Sequence, residues 1–251
     1  MKVQEVKAKT ILVRSRISEE MYCLNPYVGC QHGCRYCYAT FMKRYTGHRE
    51  RWGEFVDVKI NSPELLAKEV HRAHRWEITI SSVTDPYQPL ERRYGLTRQC
   101  LQILLEHQLP VSILTKSSLV LRDMDLLVSF DHCQVGLTIT TNQEEIRKLF
   151  EPHSSPIPER IRALETLHRH GLRTYAFIGP ILPQDPQQLA ERLCGVVDFV
   201  YVDRMNYCGR IAGLYRRYGL EFGLEPGYFH HISQRLREVF SDNGVEVRII
   251  F

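Results

Sequence analysis

The sequence predicts an α/β fold, a partial (β/α)6 TIM-like barrel. Three observations predict it. Short β-branched runs alternate with amphipathic helical segments, the pattern of parallel strands joined by right-handed crossovers. About six such units occupy ~200 residues, fewer than the eight units and ~250 residues of a closed barrel. The 251 residues show no linker, repeat or low-complexity tract, so one domain is expected over 1–251, with a C-terminal extension from about 207 to 251.

The elements follow in order. A helix is expected from Ser62, as cap with Pro63 at the first helical position, to about His74. Glu77–Thr84 is a β-branched run and reads as a strand. Thr97–Gln108 reads as a helix with Leu101, Leu104 and Leu105 on one face. Val111–Thr115 is the next strand, followed by a helix over about Arg122–Phe130 and a strand over Gln134–Thr140. Helices are expected at about Gln143–Phe150 and Pro158–His170, the second stopped by Gly171. Arg173–Ile181 reads as a strand, Pro186–Cys194 as a helix and Asp198–Asp203 as a strand. A last helix spans about His230–Ser241, and Val245–Phe251 reads as a final strand.

Composition narrows the class. Hydrophobic residues at 43% and charged residues at 25% are those of an ordinary globular protein. No run approaches 18 consecutive apolar residues, so no membrane span is expected. Residues 1–15 are basic and lack an apolar signal core, which leaves the cytoplasm as the expected compartment. A net charge of +4 is too mild to demonstrate a nucleic-acid partner. Of eight cysteines, Cys23, Cys100, Cys133, Cys194 and Cys208 are scattered singly, as small core hydrophobes commonly are.

The other three stand together in Asn25-Pro-Tyr-Val-Gly-Cys-Gln-His-Gly-Cys-Arg-Tyr-Cys-Tyr38. Cys30, Cys34 and Cys37 follow C-x3-C-x2-C, with an aromatic residue directly after the last. Three thiolates so spaced can hold three irons of a cubane 4Fe–4S cluster and leave the fourth open to a small molecule. Gly29 and Gly33 suit a tightly wrapped loop, because glycine tolerates φ > 0. Other readings are half a zinc site completed by His32 or a remote cysteine, ordinary buried thiols, or a disulfide. Zinc sites favour a second ligand pair, which is missing, and nothing marks the chain as secreted.

This spacing resembles the signature of the radical S-adenosylmethionine (SAM) superfamily, whose core is a partial (β/α)6 barrel. The resemblance implies that Cys30, Cys34 and Cys37 are the cluster ligands and that S-adenosylmethionine binds the open iron. It implies reductive cleavage to a 5′-deoxyadenosyl radical, which abstracts hydrogen from a substrate, with an electron donor such as flavodoxin or ferredoxin. Tyr38 matches the aromatic position that packs near the adenine.

Barrel chemistry gathers at the C-terminal ends of strands. Polar residues fall there repeatedly: Thr84, Asp85 and Tyr87, which the Asp85-Pro86 turn should face to the barrel mouth, then Thr115-Lys116-Ser117, Thr138–Thr141, Gly179–Pro183, and Asp203, Arg204 and Asn206. Any one of these alone reads as a loop or cap residue. Together with Asn25–Cys30, Ser82-Val-Thr-Asp-Pro-Tyr-Gln-Pro, Leu114-Thr-Lys, and Phe150-Glu-Pro followed by Glu159-Arg160, they resemble the spore photoproduct lyase-like family over nearly the whole chain. That resemblance implies that Ser82 and Lys116 contact S-adenosylmethionine, the lysine through its carboxylate, with Thr140 and Glu159 as further contacts.

One feature departs from the family pattern. Spore photoproduct lyases carry a cysteine on the second strand that donates hydrogen to the product radical, whereas Ile78–Asp85 has none. Tyr87, Tyr94 and Cys208 are the candidates left for that task. The segment Phe41-Met-Lys-Arg-Tyr-Thr-Gly-His-Arg-Glu-Arg-Trp52 interleaves basic and aromatic residues, as a nucleic-acid grip does; a solvated helix face is the competing reading. The expected function is a radical SAM enzyme with nucleic acid as the favoured substrate class. The alternative is a non-catalytic iron–sulfur electron-transfer or metal-binding protein.

Overall fold

The computed structural model describes residues 1–15, 19–73 and 76–251. Its main sheet is built from β2 (Leu12–Arg14), β3 (Met21–Leu24), β6 (Glu77–Ile80), β7 (Val111–Thr115), β8 (Cys133–Thr138), β9 (Arg173–Ile178), β10 (Phe199–Val202) and β11 (Glu246–Ile249). The order is β11-β10-β9-β8-β7-β6-β3-β2. From β3 to β11 every neighbouring pair is parallel, and only β2 runs antiparallel to its neighbour. Its two edges are β2 and β11, an open order that agrees with a partial rather than a closed barrel. A second, three-stranded sheet joins β1 (Lys2–Val6), β5 (Phe55–Lys59) and β4 (Tyr27–Val28).

The helices are α1 (Ser62–Glu69), α2 (Glu91–Tyr94), α3 (Leu96–Glu106), α4 (Met124–Leu127), α5 (Glu144–Phe150), α6 (Ile157–Arg169), α7 (Pro186–Leu193), α8 (Cys208–Arg217) and α9 (Pro226–Asp242). Strand residues alternate between two faces. Ile78 and Ile80, Ile113, Val135 and Leu137, Ala176 and Ile178, and Val200 and Val202 join the core with Leu101 and Leu104 of α3 and Leu164 and Leu167 of α6. Each such fully buried Val, Leu or Ile side chain contributes about 1.5–3 kcal/mol relative to exposure. On the opposite face Tyr175 stacks on Phe199 at 5.1 Å, and Tyr201 meets both edge-on. Gly136 makes room for this cluster, because a methyl there would lie 2.3 Å from the Tyr175 ring.

Several boundaries differ from expectation. Ser62 does not cap α1; Asn61 precedes it, and the Ser62 hydroxyl donates to Lys59 O. The expected helix end at His74 lies outside the described residues, and α1 passes into a 3₁₀ turn over Val70–Arg72. The strand expected to reach Thr84 stops at Ile80, because Ser81 turns the chain with φ of +67°. The helix expected over 122–130 is a 3₁₀ turn, Ser118–Asp123, plus the single turn of α4. The last helix begins at Pro226, four residues before His230, because Pro226 is accommodated at the first helical position. Helix α8, inside the expected extension, was not foreseen; it buries Ile211 and Tyr215. Nor were β1 to β5, which are short and lack a clean alternation.

Candidate active site

Strand β3 leads directly into the cysteine loop. Its exit is fixed by Asn25, whose Oδ1 accepts from Val83 N at 3.1 Å and whose Nδ2 donates to Ser82 Oγ at 3.3 Å. Lys59 of the small sheet donates through Nζ to Asn25 O at 2.9 Å. The segment Ser82–Leu90 forms the bed on which the loop lies. Thr84 Oγ1 donates to Gly29 O at 2.5 Å, Gln31 N to Gln88 Oε1 at 3.0 Å, and Leu90 N to Gln31 Oε1 at 2.5 Å. Gly29 and Gly33 take φ of +89° and +60°, as a tight loop requires. Within the loop Gly33 N donates to Cys30 O and Cys37 N to Cys34 O, at 3.3 and 3.2 Å.

The other flank is held by the end of α5. Arg35 N donates to Phe150 O at 2.9 Å and Arg35 Nε to Leu149 O at 3.0 Å. Tyr36 donates its hydroxyl to Glu151 Oε1, and His32 Nδ1 lies 3.1 Å from His153 O. Both residues between Cys34 and Cys37 are thus tied to Leu149–Glu151.

Cys30 and Cys34 are buried and Cys37 is half-buried. Burial pushes the Cys30 thiol well up, and the charges of Asp85, Cys34 and Cys37 push the same way. Burial likewise raises Cys34 to about 12 against the pull of Lys116. Burial also raises Cys37. The three sulfurs therefore share one low-dielectric space and repel one another as thiolates. Such a set ionises only with a cation among them, which a cluster's irons supply. Among the described residues no three His, Cys, Asp or Glu side chains are gathered as ligands of one metal ion. Cubane ligands each bind a different iron and stand further apart than that. By donor chemistry the loop fits an iron–sulfur cluster.

Of the other expected site residues, Tyr38 and Ser82 meet directly, the Tyr38 hydroxyl donating to Ser82 O. Lys116 directly follows β7, with its ammonium 5.8 Å from the Tyr36 ring centre and, among the described residues, in no ion pair. Burial works against its charge, but Cys34 and Glu151 outweigh this and raise its pKa. Thr140 is turned toward Glu151, donating from Oγ1 to Oε1 at 3.0 Å. Glu159 accepts from Ser118 Oγ at 3.1 Å and bonds to none of the other expected residues. Thr84 supports the loop through Gly29. Tyr87 does not face the mouth; it is fully buried in the hydrophobic core. Tyr94 donates to Glu5 on the small sheet at 3.0 Å, and Cys208 Sγ lies 3.2 Å from Met205 O at the start of α8.

Two buried carboxylates organise the site, and sequence reasoning gave neither this part. Asp85 accepts from Thr115 Oγ1 at 2.6 Å, Lys116 N at 2.8 Å and Tyr87 N at 2.9 Å. His32 Nε2 stands 3.2 Å from Asp85 Oδ2, without the alignment of a hydrogen bond. Burial alone would raise Asp85, but His32, Thr115 and the Lys116 N–H hold it down to about 2. Glu151 is opposed by burial in the same way and held to about 2 by Arg160, Lys116 and Tyr36. The signal for Glu151 was present in the Phe150-Glu-Pro and Glu159-Arg160 motifs, where the residues that count are the second and the last.

A family model described as "Radical SAM superfamily" matches residues 24–193. The chain belongs to the radical SAM superfamily. It is therefore a member of an enzyme family. An uncharacterized protein of Methanocaldococcus jannaschii is 39% identical over 208 residues, covering 82% of this chain and 78% of that protein. An uncharacterized protein of Mycobacterium tuberculosis is 30% identical over 186 residues, and there the match spans only 54% of the relative's length. A protein of Pseudomonas phage M6, named radical SAM Nalpha-GlyT isomerase, is 27% identical over 218 residues, 80% of this chain and 44% of the phage protein. Among solved structures, spore photoproduct lyase superimposes with a TM-score of 0.71 at 14% identity, over 99% of this chain and 82% of the lyase. SuiB of Streptococcus suis bound to the precursor peptide SuiA gives 0.62 at 13% identity, over 92% and 48%. These two likenesses establish the fold: the open parallel sheet is that of radical SAM enzymes.

Proposed function

We propose that this radical SAM enzyme carries one 4Fe–4S cluster on Cys30, Cys34 and Cys37, and binds S-adenosylmethionine at the iron those three leave open. Bound together, cluster and cofactor supply a 5′-deoxyadenosyl radical that abstracts hydrogen from a substrate. An external electron donor such as flavodoxin or ferredoxin feeds the cluster. The observation that carries this reading is Lys116, a half-buried lysine whose ammonium lies 5.8 Å from the Tyr36 ring centre and is in no ion pair among the described residues. Glu151 and Asp85 attract this ammonium from a distance without pairing with it, which leaves it free for an anionic ligand, and the cofactor's carboxylate is one. Tyr38 and Ser82 sit together on the neighbouring rim. Thr140 and Glu159 complete the assignment as outlying contacts, each with a protein partner already in place.

For the substrate we favour nucleic acid. Arg44 lies over Phe41 at 5.3 Å and Tyr45 at 5.1 Å, and Tyr45 is 70% exposed. Arg210 lies over Tyr207 at 4.6 Å and reaches Thr40 Oγ1 at 3.4 Å, joining α8 to the segment after the cysteine loop. Among the described residues neither arginine is in an ion pair, so both remain available to phosphates. A solved spore photoproduct lyase complex holds a dinucleoside spore photoproduct. Fluorescence anisotropy with a single-stranded DNA oligonucleotide tests the substrate class. Salt-dependent binding that weakens in a doubly substituted Arg44→Ala, Arg210→Ala protein is expected. Salt-independent or unaltered binding removes nucleic acid from the proposal.

A further inference from the structure

The polar residues just beyond β10, Asp203 and Asn206, take no part in the assignment above. The ladder between β9 and β10 runs on through Asp203, whose N–H donates to Ile178 O at 3.1 Å and whose O accepts from Ile181 N at 2.9 Å. Val200 and Val202 face the hydrophobic core, so by alternation Tyr201 and Asp203 belong to the other face. Gly179 confirms that placement. A methyl there would lie 2.9 Å from Asp203 Cβ and 2.4 Å from the Phe177 ring, so ring and carboxylate stem stand side by side only because residue 179 has no side chain. Phe177 is the register partner of Tyr201, with ring centres 6.3 Å apart. Both rings are half-buried and neither joins the core. They form an aromatic floor that is still partly open, with Asp203 at its rim. Asp203 Oδ2 accepts from Asn206 Nδ2 at 3.1 Å, and among the described residues no cation pairs with the carboxylate. Its neighbour Arg204 lies over Phe251 at 5.7 Å instead. Burial raises the Asp203 carboxyl against the pull of Asn206. An ionised carboxylate has acceptor sites for several donors, and one neutral partner leaves most of them unused.

We propose that Asp203 is a specificity-determining residue, accepting a hydrogen bond from an N–H on the edge of a nucleobase that lies on Phe177 and Tyr201. This rests on the nucleic-acid reading above and adds to it the place where a base is read. Stacking on aromatic rings accepts any base, because every base has a π-face. A charged acceptor at the edge of the floor adds choice, because a base without the donor leaves that acceptor desolvated and unpaired. Three strand spacings, about 14 Å along the sheet, separate β10 from β7. Asp203 therefore stands apart from Lys116 and the cofactor carboxylate assigned to it.

The test uses the anaerobically reconstituted full-length protein and short single-stranded DNA oligonucleotides of each base, every one beside a counterpart whose base N–H groups are methylated. Fluorescence anisotropy should show at least one oligonucleotide binding about tenfold more tightly than its methylated counterpart. Asp203→Ala should abolish that preference. Asp203→Asn, which keeps the shape and loses the charge, should cut it about threefold or more, and it guards against a folding loss in the alanine variant. Affinity for S-adenosylmethionine should stay at the wild-type value in both. A methylation preference of wild-type size in either variant overturns the proposal. So does a variant that loses S-adenosylmethionine affinity, which would give Asp203 to the cofactor. Wild-type binding that ignores methylation overturns this proposal and leaves the nucleic-acid reading standing, whereas wild-type protein that binds no oligonucleotide overturns both.

Discussion

Glu151 and Arg160 form an ion pair with 2.5 Å between Oε2 and Nη2, and both side chains are fully buried. Arg160 also donates to Thr138 O and Ser155 O, each at 2.8 Å. The pair therefore links the segment that clamps the cysteine loop to the end of β8. Removing one partner strands the other charge in the interior. Arg160→Leu should lose about 3–5 kcal/mol of stability, read as a lower urea midpoint. Arg160→Lys should recover part of the loss.

The same carboxylate, with Asp85, sets an acid limit. Both have folded pKa values of about 2, below their ordinary values of 4.5 and 3.8. A depressed folded pKa contributes stability above the unfolded value and loses it as pH falls through the folded one. Chemical-denaturation midpoints should therefore be level above about pH 5 and fall steadily toward pH 2. A flat profile over that range would show that neither carboxylate is held in its charged form.

Asp85 fixes the backbone of Lys116 and the hydroxyl of Thr115 at once. Asp85→Asn replaces an acceptor oxygen with a donor amide beside one of them. The expected cost is about 1–3 kcal/mol, seen as a lower melting temperature, with weaker S-adenosylmethionine binding because Lys116 loses its anchor. An unchanged affinity would detach Lys116 from the cofactor.

Gly29 has φ of +89°, and a methyl there would lie 2.4 Å from Phe55 O. Gly29→Ala should cost at least about 1–2 kcal/mol from the backbone alone, and the clash displaces the loop from β5. Iron bound per chain after reconstitution should fall well below wild type. Full iron loading would mean that the loop tolerates the shift.

The parallel core was legible because Ile78, Ile113, Val135 and Val200 lie on β-branched runs separated by helical periodicity. The cysteine loop was legible because its spacing is dense and rare. What escaped was long-range. Glu151, Arg160 and Asp85 look like ordinary polar residues until the fold brings Tyr36, Thr140 and Lys116 to them. Strands β1 and β5 escaped because pairing between Lys2–Val6 and Phe55–Lys59 leaves no local mark, and β2 to β4 because they are only two to four residues long. Ser81 ended its strand early through a left-handed turn that β-propensity does not reveal. The mouth assigned to Tyr87 failed because the Asp85-Pro86 turn directs that ring into the core instead.

The central claim is that Cys30, Cys34 and Cys37 hold a cluster with one open iron that cleaves S-adenosylmethionine. Its most direct measurement is 5′-deoxyadenosine released by anaerobically reconstituted, dithionite-reduced protein given the cofactor, alongside Cys34→Ala. Release by the wild type and none by the variant is the predicted result. Wild-type protein that binds its full iron yet makes no 5′-deoxyadenosine, with a cluster spectrum indifferent to the cofactor, would contradict it.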